Sequence, residues 1–280
     1  MIIEILKIIL FGIVEGITEW LPISSTGHII LLDEFIKLKM SEQFVSMFTV
    51  VIQLGAIMAV VVIYWNKIWP FGKGKKVNGP KFIIKRSIME MWFKIVVAVI
   101  PSAVVGLFFD DLIEKYFYNY FSVALALIIF GVLFILIENK NEKSDINYIE
   151  SIDKIGYKEA FIVGLFQLIA AVFPGTSRSG ATILGGISIG LSRVIAAEFT
   201  FFLAIPTMFG ASLLKLFKFG LSFTAFEGFA LILGMVVSFV VSYITIKFLI
   251  NYIKHNDFKA FGVYRIVLGI IVLVYFVLIK

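Results

Sequence analysis

The chain has 280 residues, 60% of them hydrophobic, a mean hydropathy of +1.02 and a formal net charge of +6. A soluble domain of this size is nearer about 45–50% apolar, so an ordinary water-soluble core is the disfavoured reading and a membrane protein the favoured one. The absence of cysteine excludes disulfide and thiolate chemistry. The basic excess is read as a marker of membrane orientation rather than as a nucleic-acid surface.

In chain order, residues 2–38 come first. They are apolar but broken by Pro22, and they carry Glu4 with neither a basic leader nor a small-residue cleavage site, so no signal peptide is expected. Apolar runs follow at 44–65, 91–109 and 121–138. A second broken stretch, 159–191, is interrupted by Pro174-Gly175, and further runs lie at 195–214, 228–250 and 263–279. Each unbroken run is long enough for a bilayer core of about 30 Å at 1.5 Å per residue. Helices satisfy their own backbones in lipid, so six spanning helices are predicted. Pro101 and Pro206 are expected to kink their spans.

Lysines and arginines mark one side. Seven crowd Lys67 to Arg86, four lie among acids in 139–158, and Lys254 and Lys259 precede the last span, flanked by Lys247 and Arg265. Positive residues favour the cytoplasm, which puts loops 66–90, 139–158 and 251–262 inside and the C-terminus outside. Each half of a broken stretch is too short to cross and is expected to dip and return, the first pair from outside and the second from inside. The breaks align at an offset of 152: Gly12 with Gly164, Glu15 with Gln167, Pro22 with Pro174, Ser24 with Thr176 and Ser25 with Ser177. The prediction is a single all-α membrane domain over 1–280. It consists of two inverted-topology repeats, about 1–138 and 152–280, joined by cytoplasmic loop 139–158.

The first break reads EGITEWLPISSTGH, residues 15–28. Glu15 and Glu19, four apart, share a helix face with Cβ atoms about 5–6 Å apart. They suit a divalent cation, Mg²⁺ or Ca²⁺, or a general-base role. Ser24, Ser25, Thr26 and Gly27 complete a hydroxyl-rich turn in which Ser24 or Thr26 is expected to cap a helix. His28, three residues after Ser25, is positioned to pair with it as base to nucleophile or to donate to a phosphate. The second break reads PGTSRSGATI, residues 174–183. Gly175 and Gly180 permit unusual backbone, while Thr176, Ser177, Ser179 and Thr182 supply hydroxyls. A helix starting near Ser177 or Ser179 presents free amides. Arg178 adds a planar fork for phosphate oxygens, and at membrane depth it costs about 2.5–3.5 kcal/mol unless partnered. Tip to tip, the breaks would suit phosphoryl transfer to water from an amphiphile with an apolar tail and a pyrophosphate head.

The segments EGITEWLPISSTGH and PGTSRSGAT, with VVIQLGA at 50–56, resemble the undecaprenyl-diphosphate phosphatase family, also called bacitracin-resistance proteins. The resemblance implies a bacterial cell-membrane enzyme that converts C55 isoprenyl diphosphate to the monophosphate, recycling the carrier lipid for cell-wall synthesis. Bacitracin opposes such enzymes by sequestering the substrate. It also implies dependence on a divalent cation, dimers and a site opening to the outer face. Its carboxylate pair falls on Glu15 and Glu19, its hydroxyl and histidine on Ser25 and His28, and its phosphate-clamping arginine on Arg178. Thr49 departs from it, since an acidic residue is expected there. Two other readings compete. An inverted-repeat transporter or channel for an anion or lipid phosphate needs no turnover. A histidine-nucleophile phosphatase of the type 2 phosphatidic acid kind needs an Arg-Pro pair that the chain lacks.

Overall fold

The computed structural model describes residues 1–72, 83–143, 147–220 and 222–278. It is almost entirely helical. A short helical pair, α1 (Ile2–Thr18) and α2 (Ser25–Phe35), precedes α3 (Glu42–Val51), α4 (Gln53–Ile68), α5 (Arg86–Phe117) and α6 (Tyr120–Glu142). A second short pair, α7 (Tyr157–Val172) and α8 (Arg178–Ser188), precedes α9 (Arg193–Phe219), α10 (Ala225–Ile253) and α11 (Lys259–Leu278). Between α4 and α5, β1 (Phe71–Gly72) pairs antiparallel with β2 (Ile83–Ile84).

Six segments are long and apolar enough to cross a membrane: Glu42–Ile68, Arg86–Phe109, Tyr120–Glu142, Arg193–Phe219, Ala225–Ile253 and Lys259–Leu278. They coincide with the six predicted runs, and α3 and α4 together make the first. Pro101 and Pro206 lie inside α5 and α9, which run on through them, whereas a non-helical residue inside a long helix is Tyr64 in α4. The spans present Phe93, Leu107, Phe108, Ile232 and Ile244 to the surroundings, as a protein solvated by lipid must. Lys73, Lys75, Lys76 and Lys81 of the basic loop 66–90, and residues 144–146 of loop 139–158, lie outside the described residues.

Polar side chains start the helices where the backbone leaves extended geometry. Ser41, Asn119 and Ser192 each accept from an amide three residues on, and Thr224 with Glu227 forms a capping box. Packing exchanges elements between the halves: α1 lies on α10, α7 on α5 and α6 on α11. Small residues make these approaches close. A Cβ at Gly16 would stand 2.9 Å from Ser238 O on α10, and one at Gly164 would strike the backbone of Ala98 on α5. The two short pairs differ in depth. Every residue of α8 from Ser179 to Ile187 is buried, whereas α2 buries only Gly27.

Candidate active site

Both breaks stop one helix and start another with the same device. After α1 ends, Ser24 takes φ 76 and its Oγ accepts from Gly27 N at 3.2 Å; after α7 ends, Ser177 takes φ 69 and its Oγ accepts from Gly180 N at 3.0 Å. Among the described residues these are the non-glycine residues with positive φ. Such conformations cost about 1–3 kcal/mol and persist where the surroundings enforce them. The equivalence is therefore SSTG (24–27) with SRSG (177–180), an offset of 153. The expected matches of Ser24 with Thr176 and Ser25 with Ser177 are displaced by one residue. The second break holds one more residue between its proline and its cap, and Gly175 there has φ 90. The offset of 152 applies to the preceding helices, where Glu15 and Gln167 are both buried. In the corrected register Ser25 corresponds to Arg178, each the first residue of its helix.

These two residues hold the same carboxylate. Arg178 Nη2 donates to Glu19 Oε1 at 2.8 Å, and Ser25 Oγ donates to Glu19 Oε2 at 2.8 Å. Ser179 Oγ donates to the Glu19 carbonyl at 2.9 Å. Arg178 also donates through Nη1 to Thr200 O at 3.2 Å and stands 5.9 Å over the Trp20 ring. Acidic and cationic tips thus meet, and removing either partner would strand a buried charge at about 3–5 kcal/mol. Glu15, one turn before Glu19, is buried with Oε1 unpartnered.

The expected pairing of Ser25 with His28 does not form. His28 Nδ1 lies 2.7 Å from Ser24 O, and Nε2 lies 2.7 Å from Tyr264 Oη, with the two rings stacked at 5.7 Å. A carbonyl only accepts, so Nδ1 carries the proton and, on the neutral ring, the Tyr264 hydroxyl donates to Nε2. One turn into α2, the imidazole has rotated away from Ser25 towards α11.

The remaining predicted phosphate ligands divide. Ser24 and Ser177 are caps, so their hydroxyls are engaged by the amides of Gly27 and Gly180. Thr182 Oγ1 donates to Arg178 O at 2.9 Å and accepts from Thr200 Oγ1 at 2.9 Å, which turns it towards α9 rather than into the break. Thr176 is buried with Oγ1 unpartnered, and Thr26 is half-buried in the first turn of α2. Gly175 and Gly180 line the second break at points of close approach: a Cβ at Gly175 would stand 2.5 Å from Val123 O, and one at Gly180 would stand 2.5 Å from Arg265 Nη1.

The sequence places Arg265 at the flank of the basic cytoplasmic loop, and the structure does not. Arg265 lies inside α11, fully buried, with Nη1 donating to Pro22 O at 3.2 Å and Nη2 to Gly175 O at 3.2 Å and Thr176 O at 2.6 Å. Together with its neighbour Tyr264 it makes α11 a third contributor to the site. The signal was present: an arginine within an apolar span is a functional hypothesis by default.

Other buried charges lie elsewhere. Buried Glu138 pairs with partly exposed Arg193 at 2.6 Å, and buried Glu198 with exposed Lys67 at 2.8 Å. A cavity of about 330 Å³ beside the first pair, lined by Glu138, Asn141, Tyr148, Arg193 and Lys254, includes no residue of either break. Among the described residues no group of three or more His, Cys, Asp or Glu is gathered for a metal, so Glu15 and Glu19 stand as a two-carboxylate set.

Comparison with known proteins agrees across the chain. The family described as bacitracin resistance protein BacA matches residues 8–271. The chain is 62% identical over 275 residues to an undecaprenyl-diphosphatase of Desulfitobacterium hafniense, covering 98% of this chain and 97% of that protein. It is 57% identical over 277 residues to an undecaprenyl-diphosphatase of Acetivibrio thermocellus, covering 99% of each. It is 60% identical over 277 residues to undecaprenyl-diphosphatase 1 of Clostridium acetobutylicum, again covering 99% of each. A match that takes in both breaks and most of α11 means that the chain belongs to the bacitracin resistance protein BacA family.

Proposed function

We propose that the chain is a membrane phosphatase that hydrolyses undecaprenyl diphosphate to undecaprenyl phosphate and inorganic phosphate, returning the carrier lipid to cell-wall synthesis. The observation that carries this reading is the grip of Arg178 and Ser25, from opposite breaks, on the two oxygens of Glu19. It joins a nucleophile, a base and a cation in one place. Glu19 takes one arm of the Arg178 fork, Nη2, and Nε is left without a partner. An oxyanion of the terminal phosphate then takes that fork, since bidentate recognition suits phosphate and carboxylate alike. This frees Glu19 to act as base.

Ser25 Oγ attacks the terminal phosphorus while its proton passes to Glu19. The bond from that phosphorus to the bridging oxygen breaks, and undecaprenyl phosphate leaves with the bridging oxygen and the electron pair, taking up the proton. Water then attacks the phosphoserine, again losing its proton to Glu19, which returns it to Ser25 Oγ as inorganic phosphate departs. Arg178, the first-turn amides of α8 and the hydroxyl of Thr26 surround the charge that develops on phosphate, while Ser179 holds the Glu19 carbonyl. His28, with Tyr264 on Nε2, stands beside Ser24 as a positioning or proton-donating group.

Glu15 and Glu19 fit a divalent cation, Mg²⁺ or Ca²⁺. Glu15 Oε1 is buried without a partner, and such ions commonly combine one or two carboxylates with substrate phosphate oxygens. When bound, the cation would neutralise charge on the pyrophosphate.

The topology proposed with this function is two re-entrant pairs, α1–α2 from outside and α7–α8 from inside, in two inverted repeats of one membrane domain. The reciprocal packing of α1 on α10 and α7 on α5 supports it. The partly exposed α2, against α8 buried from Ser179 to Ile187, supports a site opening on the outer face of the bacterial cell membrane. A homodimer would cover part of the exposed apolar surface.

The test is phosphate release by purified protein in detergent. The reading predicts metal-dependent release from undecaprenyl diphosphate, with inorganic pyrophosphate a poor substrate because it lacks the apolar tail. A transporter would release none in the absence of a membrane, and activity that survives thorough metal removal would eliminate the carboxylate-bound ion.

A further inference from the structure

The proposed steps leave a fully buried cation, Arg265, without a task. Arg265 has no exposed surface, and its recorded hydrogen bonds all go to main-chain carbonyls of the two breaks. Among the described residues no carboxylate pairs with it, and its Nε is unpartnered. Pro22 lies three residues after Glu19, and Gly175 and Thr176 lie just before Arg178. The guanidinium therefore bridges the backbones that carry the two halves of the charge pair.

We infer that Arg265 is a positioning residue that ties the two breaks together and so fixes Glu19 against Arg178. The inference rests on the phosphatase reading and adds to it a role for α11. Break backbone lacks the internal ladder of a helix, and in a membrane its carbonyls must find donors within the protein. A planar guanidinium offers five N–H groups in a fixed fork, enough to serve carbonyls of two separate segments at once. A lysine ammonium on a single flexible stem holds no such geometry. Two further features fit the seat to this side chain. The Phe130 ring lies 5.7 Å from the guanidinium carbon, and residue 180 has no Cβ, which would stand 2.5 Å from Nη1. Arg178 by contrast keeps 14% of its side chain exposed, as a group that must meet a substrate should. Arg265 acts behind the breaks, so its loss disturbs alignment in the transition state rather than capture of the headgroup.

The test uses Arg265→Lys in the full chain, assayed with undecaprenyl diphosphate. Misplacement of reacting groups by about 1 Å costs about 10²-fold, so kcat should fall by about that factor with KM unchanged. A second readout needs no turnover. The chain has no cysteine of its own, so spin labels at exposed Ile17 and Phe173 report the separation of the breaks. Their distance distribution should broaden in Arg265→Lys. Gly180→Ala leaves Arg265 in place but crowds its Nη1, and should broaden the same distribution. This second variant decides the matter if Arg265→Lys does not fold. Normal kcat with unbroadened distances would overturn the inference, as would a raised KM with kcat retained, which would make Arg265 a substrate ligand. If the unaltered chain releases no phosphate, the phosphatase reading fails, while the label distances still decide whether Arg265 ties the breaks.

Discussion

At the scale of single residues, the chemistry converges on Glu19, whose two side-chain oxygens and carbonyl are all bonded to the site: Arg178, Ser25 and Ser179. Because the hydroxyl of Ser25 already donates to the prospective base, serine attack is the route the geometry favours. Ser25→Ala should then abolish turnover while leaving the fold intact, since the side chain is small and only half-buried. Substantial phosphate release by that variant would transfer the attack to water, with Glu19 still its base. Glu15, Glu19, Ser25 and Arg178 were legible in the sequence because charged and hydroxyl residues beside a proline stand out from apolar surroundings. The partner of His28 was not. Its expected neighbour, Ser25, was inferred from helical spacing, whereas the structure directs both ring nitrogens elsewhere, one to Tyr264 from a helix 236 residues away in sequence. Arg265 escaped for a related reason: counting basic residues along a loop cannot tell a charge at the membrane edge from one seven positions into the span.

At the scale of elements, the two broken pairs share a stop-and-start device built on a serine in a positive-φ conformation. The sequence placed both breaks and left the first cap to Ser24 or Thr26 and the second helix start to Ser177 or Ser179, and aligning the prolines hid the one-residue slip that brings Arg178 opposite Ser25. Only the cap hydrogen bonds reveal it. The long helices that carry the breaks meet through small residues, and here the sequence alone was silent, because a glycine's neighbours are set by the partner helix. A side chain at Gly164 has nowhere to go, since its Cβ would collide with the Ala98 backbone, whereas nothing lies within 4 Å of a Cβ at Gly106. Gly164→Val should therefore destabilise the protein by about 1–3 kcal/mol or more, the cost of overpacking against backbone that cannot relax. Gly106→Ala should be neutral or slightly stabilising, as glycine is a poor helix former. Thermal unfolding in detergent measures both, and equal melting temperatures for the two variants would contradict the packing assigned to α7 and α5.

At the scale of the whole molecule, hydropathy alone located six spans, because runs of apolar residues that long have few other uses. Their pairing was beyond it, since α1 lies on α10 and α7 on α5 through contacts between distant parts of the chain. That exchange of partners between halves brings two irregular segments together and leaves Glu19 of one facing Arg178 of the other. The central claim is that neither half holds an active site alone. A double-mutant cycle tests it most directly, with kcat for phosphate release from undecaprenyl diphosphate measured in the unaltered chain, Glu19→Gln, Arg178→Ala and the double variant. Residues acting as one unit are strongly non-additive. Each single variant should lose about 10²–10³ in kcat, and the double should lose little more than the worse single. Losses that multiply in the double variant, or near-normal turnover in either single, would contradict a shared site.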